Sequence, residues 1–127
     1  MIKGGCQGKI LRVDLTKQEV KEEALREDWA LKFIGGRGYG TRIIYNEVDQ
    51  KTDPLSIENK VVIAAGPLDG TMALSSGRVM VITKWPLTGT IACSNAGGYF
   101  GPMLKRTGFD MIILEGKSKR TCLSVDK

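Results

Sequence analysis

The sequence predicts an α+β fold of mainly antiparallel strands and hairpins with short helices, and three observations carry that prediction. Segments of alternating apolar and polar residues come in neighbouring pairs joined by turn formers, the helical runs between them are short, and strands and helices do not alternate in the regular order of a parallel sheet. At 127 residues, 42% hydrophobic and 26% charged, the chain suits one soluble domain that needs neither disulfide nor structural metal for stability.

The elements follow in order. Gly8 to Leu15 (GKILRVDL) and Glu19 to Leu25 (EVKEEAL) alternate around a short turn and predict an opening hairpin. Trp29, Leu31, Phe33 and Ile34 then form a short helical run, with Asp28 early, Lys32 late and Gly35 and Gly36 as its stop. A second helix is expected over Thr41 to Val48, and Asp49 to Ser56, with its Asp-Pro step, reads as a surface loop. KVVIAAG is a buried strand, after which Gly66 to Gly77 forms a long irregular connection of the kind that is usually functional or mobile. Arg78 to Lys84 and Thr90 to Asn95 read as a second hairpin around WPLTG, the return strand buried; Phe100 to Arg106 reads as a helix. Asp110 to Gly116 and Thr121 to Val125 complete a third hairpin.

Composition excludes several chemistries. There is no histidine, which removes Ser-His and Cys-His nucleophilic machinery and histidine-based zinc sites. The three cysteines, Cys6, Cys93 and Cys122, include no CxxC pair, so the usual four-cysteine zinc site or iron–sulfur ligand set is not supplied by this chain. Their odd number and wide spacing, with no apolar leader, point to reduced thiols in a cytoplasmic protein. No apolar run reaches membrane-span length. A net charge of +5 is spread along the chain, which argues against nucleic acid as partner and suits a phosphorylated or acidic cofactor.

The concentrated signal runs from Ser76 to Asp110. There a strand breaks into AGGYFG (Ala96 to Gly101) just before a helix start. Glycines allow close approach of the backbone to an anion, and a helix start adds unpaired N–H donors. Arg37 and Arg78 each follow a glycine and either clamp a phosphate or are solvated surface arginines. Asn95 is either a turn residue or a carbonyl ligand for a hard cation such as magnesium. GGRGYG (Gly35 to Gly40) fails as a dinucleotide fingerprint, because Thr41 stands at the third glycine position and a helix precedes it. GKS at Gly116 to Ser118 reads as a turn, and Cys93 as an inert thiol.

GKILRVDL, FIGGRGYG, DPLSIENKVVIAAGPLDGT, SSGRVMVITKWPLTG, SNAGGYFGPMLKRTGFD and IILEGK occur in that order. Together they resemble the N-terminal region of the tungsten-containing aldehyde ferredoxin oxidoreductases. The resemblance implies a tungsten, or molybdenum, bis-pterin cofactor whose phosphates are bridged by magnesium. It implies that Arg78 contacts the cofactor, that Asn95 binds magnesium through its main-chain carbonyl, and that Gly97 and Gly98 form the turn at the pterin. The enzyme so implied oxidises aldehydes to carboxylic acids and passes electrons through a 4Fe-4S cluster to ferredoxin.

Members of that family are several times longer, and the cluster cysteines and catalytic groups lie beyond this region. Residues 1–127 are thus expected to be a partial N-terminal cofactor-binding domain with no catalytic residue of its own, inactive alone, its partners the remaining domains or a separate subunit. The resemblance also implies an N-terminal domain built from two related halves, of which this region is the first; a stand-alone pterin- or phosphate-binding module, dimeric if a second copy replaces the other half, is the alternative.

Overall fold

Lys9–Asp14 (β1) and Glu19–Ala24 (β2) pair antiparallel across a tight turn, as their alternation dictates. The computed structural model describes residues 4–119. Two helices follow, Glu27–Phe33 (α1) and Gly36–Glu47 (α2), then strands Lys60–Ala65 (β3), Arg78–Lys84 (β4) and Ile91–Gly97 (β5), helix Phe100–Arg106 (α3) and strand Met111–Glu115 (β6). Among the described residues the six strands form one mixed sheet in the order β2-β1-β6-β3-β4-β5. Among the described residues only the β1–β6 pairing is parallel.

Register sorts the side chains into two unequal faces. Ile10, Met111 and Ala64 align across the sheet, as do Ile113, Val62 and Ile82, and all six are buried beneath the helices. The opposite face carries an equally apolar row, Leu11, Ile112, Ile63 and Val81, flanked by Val13, Leu114 and Val61, yet each of these is only half-buried. A sheet this apolar on both faces is suited to a middle layer, and among the described residues only Ala65 and Val79 are buried on the second face.

Helix α2 lies close to the sheet because Gly40 has no side chain. A Cβ there would stand 2.7 Å from Cδ1 of Ile82, beside Val62. This packing need explains why α2 begins at Gly36, five residues before the expected Thr41, and absorbs the glycines of GGRGYG. Between α1 and α2 the amide of Gly35 donates to the carbonyl of Phe33 at 2.7 Å, with Ile34 at φ 68° and ψ −55°. That is a γ-turn of the strained hand, unusual for a β-branched residue.

Two expectations are corrected. The strand ending at Asn95 is not buried: β5 is an edge strand, half-buried at Ile91, Ala92 and Cys93 and exposed from Ser94 to Gly97. Nor is β6 one arm of a terminal hairpin. It is inserted between β1 and β3, so both of its edges are filled, and Thr121 to Val125 lies outside the described residues. Among the described residues no helix is long and apolar enough to cross a membrane.

Candidate functional site

Arg78 opens β4 and Gly97 closes β5, and the two are register partners at one end of the sheet, with Met80 and Asn95 the second pair along. Alternation puts Arg78 and Asn95 on the same face, and Nη1 of Arg78 donates to Oδ1 of Asn95 at 2.5 Å. Both side chains are exposed.

The main chain of Asn95 faces the other way. The amide of Gly98 donates to the carbonyl of Gly77 at 3.0 Å, and at the far end that of Trp85 donates to Thr90 at 2.9 Å. Those bonds make Arg78–Gly97, Met80–Asn95, Ile82–Cys93 and Lys84–Ile91 the non-hydrogen-bonded pairs of the ladder, whose N–H and C=O groups point away from the partner strand. Because β5 is an edge, the carbonyl of Asn95 and the amide of Gly97 project from the free side of the sheet. The side chain of Asn95 is held by Arg78, and its carbonyl is left open.

The turn that follows is bare. A Cβ on Gly97 or Gly98 would meet nothing within 4 Å, and Gly98 has φ 125°, a conformation side chains rarely tolerate. Helix α3 starts immediately after it with no side-chain cap and no acidic residue in its first turn. Among the described residues the amides of Phe100 and Gly101 have no acceptor. A guanidinium, the outward amide of Gly97 and the outward carbonyl of Asn95 thus share one end of the β4–β5 pair, a corner of the sheet. This donor set fits a phosphate accompanied by a hard cation, the first taken by N–H groups and the second by oxygen.

Sequence reasoning missed the residue that assembles this corner. Asp69 is buried in the 66–77 connection and accepts the amides of Gly66 at 2.8 Å and Arg78 at 3.1 Å. Its carboxylate also lies against Gly101, where a Cβ would come within 3.0 Å of Oδ2. One side chain thereby joins the end of β3, the first residue of β4 and the start of α3. The Asp-Gly turn signal was present in PLDG, but no sequence rule says that the carboxylate turns inward.

Helix α3 is fixed from its other end. Lys105 and Asp110 form a buried ion pair at 2.5 Å; Asp110 also accepts the amides of Gln7 and Gly8, and Lys105 donates to the carbonyl of Gly5. Cys6 lies nearby, its thiol pushed up by burial and by the negative charge of Asp110. Cys93 is half-buried against the core. Arg37, the other arginine singled out in the sequence, is not part of the Arg78–Asn95 pair; it lines a groove on the helical layer with Phe33, Arg42 and Tyr45. Met72, Leu74, Tyr99, Phe100 and Met103, from the same connection and α3, are exposed and apolar.

Residues 10–127 match the model of the aldehyde ferredoxin oxidoreductase N-terminal domain. The chain belongs to the aldehyde ferredoxin oxidoreductase family. It is 55% identical over 114 residues to a tungsten-containing aldehyde ferredoxin oxidoreductase of Pyrococcus abyssi, and 47% identical over 116 residues to one of Pyrococcus furiosus. These alignments cover 90% and 91% of this chain but 19% of each relative, so the chain spans about a fifth of the enzymes it matches. It is 41% identical to the WOR-like subunit of an aliphatic sulfonate oxidoreductase of Pyrococcus furiosus, covering 88% of this chain and 18% of that one. Its fold is similar to that of a chain in the active site complex BamBC of benzoyl coenzyme A reductase, solved with 1,5-dienoyl-CoA. The TM-score is 0.90 at 36% identity, covering 93% of this chain and 18% of that one.

Proposed function

We propose that this segment forms one wall of the tungstopterin site in an oxidoreductase that converts aldehydes to carboxylic acids and passes electrons to ferredoxin. The observation that carries the reading is the corner itself: Arg78 free of any carboxylate among the described residues, Asn95 with its carbonyl turned outward, and Gly97 and Gly98 bare beside them. In this reading Arg78 would hold a phosphate of the cofactor, the Asn95 carbonyl would ligate magnesium, and Gly97 and Gly98 would let the pterin approach the backbone. The cofactor supplies the redox chemistry; this chain supplies binding and orientation, and no residue of it is assigned to catalysis. The 4Fe-4S cluster and the aldehyde site belong, on this reading, to the remaining four-fifths of the enzyme, which also cover the apolar rim of Met72, Leu74 and Tyr99.

Replacing Arg78 with alanine in the complete enzyme tests it. We expect tungsten and pterin content to fall about tenfold, the scale of a lost charge-assisted phosphate contact, while the melting temperature of the cofactor-free protein stays unchanged. Normal occupancy would remove Arg78 from the site.

The uncovered apolar face of the sheet favours a second reading, in which another copy of this chain supplies the missing layer and the pair binds pterin or phosphate without catalysis. Sedimentation of the chain alone separates the two: a stable dimer supports the second, and a monomer that melts cooperatively counts against it.

A further inference from the structure

The helical layer carries a second binding surface, independent of the cofactor corner. Phe33, Arg37, Gly38, Thr41, Arg42 and Tyr45 line an open groove of about 460 Å³ along α1 and α2. We propose that this groove docks an acidic segment of a protein partner, one that presents carboxylates beside an apolar side chain.

Charge complementarity selects that occupant. Two of the six lining residues are arginines and none is a carboxylate. Arg37 is exposed and forms no ion pair among the described residues. Arg42 is the more informative of the two: its guanidinium stands 5.3 Å from the ring centre of Trp29, 5.8 Å from Phe33 and 5.7 Å from Tyr45, and its buried Nε donates to nothing. Aromatic faces orient a guanidinium without satisfying its N–H groups. The Arg42 guanidinium is thus held among the rings with no carboxylate among the described residues to neutralise it. The other arginine of this layer differs in this respect, since Arg26 stacks on Trp29 at 4.3 Å and is already paired with Asp28 at 2.9 Å.

The apolar part of the surface argues for a polypeptide over a free anion. Tyr45, on the rim of the groove, is 65% exposed, and Phe33 beside it is only half-buried. An inorganic anion would engage the arginines and the Thr41 hydroxyl and leave these side chains in water. A peptide carrying acidic and apolar residues covers both.

The test is titration of the full chain with a labelled peptide of alternating Glu, Asp, Leu and Phe, beside its Gln/Asn counterpart and inorganic phosphate. The acidic peptide is expected to bind about tenfold more tightly than its neutral counterpart and to weaken as salt is added. Arg37→Gln, at an exposed position where folding is not at risk, should weaken it about fivefold, and Arg42→Lys, which keeps the charge but loses the planar guanidinium fork, should weaken it as well. Equal binding of the neutral peptide, no loss in Arg37→Gln, or no binding at all would overturn the proposal. Displacement of the peptide by phosphate at equal concentration would do so too, leaving a small-anion site.

Discussion

Arg12 and Arg78 project from the same face of one sheet, yet their surroundings are opposites. Arg12, on β1, is mostly buried and bonded to three carboxylates: Glu23 at 2.7 Å, Glu47 at 2.9 Å and Glu115 at 3.0 Å, with Lys60 bridging the last two. Arg78, on β4, is exposed and bonded through its side chain to one neutral amide. The Arg12 charge is fully engaged within the fold, so its work is to tie β1, β2, β6 and α2 together. The Arg78 charge is balanced by nothing among the described residues, which is what a site for an outside anion requires.

Removing Arg12 is the harshest test of that contrast. Arg12→Met leaves Glu47 and Glu115 to share Lys60 and takes from Glu23 its ion-pair partner, and we expect a loss of about 2–4 kcal/mol in stability by denaturant unfolding. Cofactor occupancy of the folded fraction should not change. A stability loss no larger than that of Arg78→Ala would erase the distinction. Gly98→Ala sharpens it from the other side, because the substitution meets no neighbour but forces a side chain into φ 125°. About 1 kcal/mol of stability should be lost from strain, and cofactor retention should fall further than that strain explains.

The smallest effect is a pH dependence. Burial raises Glu47 and Glu115, but hydrogen bonds from Arg12 and Lys60 outweigh it and hold both carboxyls below the usual glutamate value of 4.5. A lowered folded-state value contributes stability that is complete above the unfolded value and is lost as pH falls through the folded one. The melting temperature should therefore decline below about pH 4.5, and Arg12→Met should flatten the decline. Lys60 has the opposite sign: its ammonium is held above the usual 10.5 by Glu115 and Glu47 against desolvation, so its contribution fades only at more alkaline pH.

Much of the fold was legible because local rules operated alone. β1 and β2 alternate, β4 and β5 flank a Pro-Gly turn, and α3 falls on Phe100 to Arg106 as read. The misreadings share one cause. TIACSN looks buried by composition, yet burial depends on what lies beside and above a strand, and among the described residues β5 has no neighbour on its outer side. Met111–Glu115 looks like a hairpin arm because hairpins are the local default; placing it between β1 and β3 needs contacts about a hundred residues apart.

The sequence by itself determined the strand and helix content, the absence of histidine chemistry, and a glycine-rich corner carrying Arg78, Asn95, Gly97 and Gly98. Tertiary structure decided which groups in that corner are free. The direction of the Asn95 carbonyl follows from the hydrogen-bond parity of a ladder whose register is set by the packing of β4 under α2. Asp69 reaches Gly66, Arg78 and Gly101 only because three segments converge on it. Arg37, indistinguishable from Arg78 as a residue after glycine, went to the helical groove because α2 starts one residue before it. Residue identity sets which chemistry is possible; only the folded path sets which donors and acceptors remain unsatisfied.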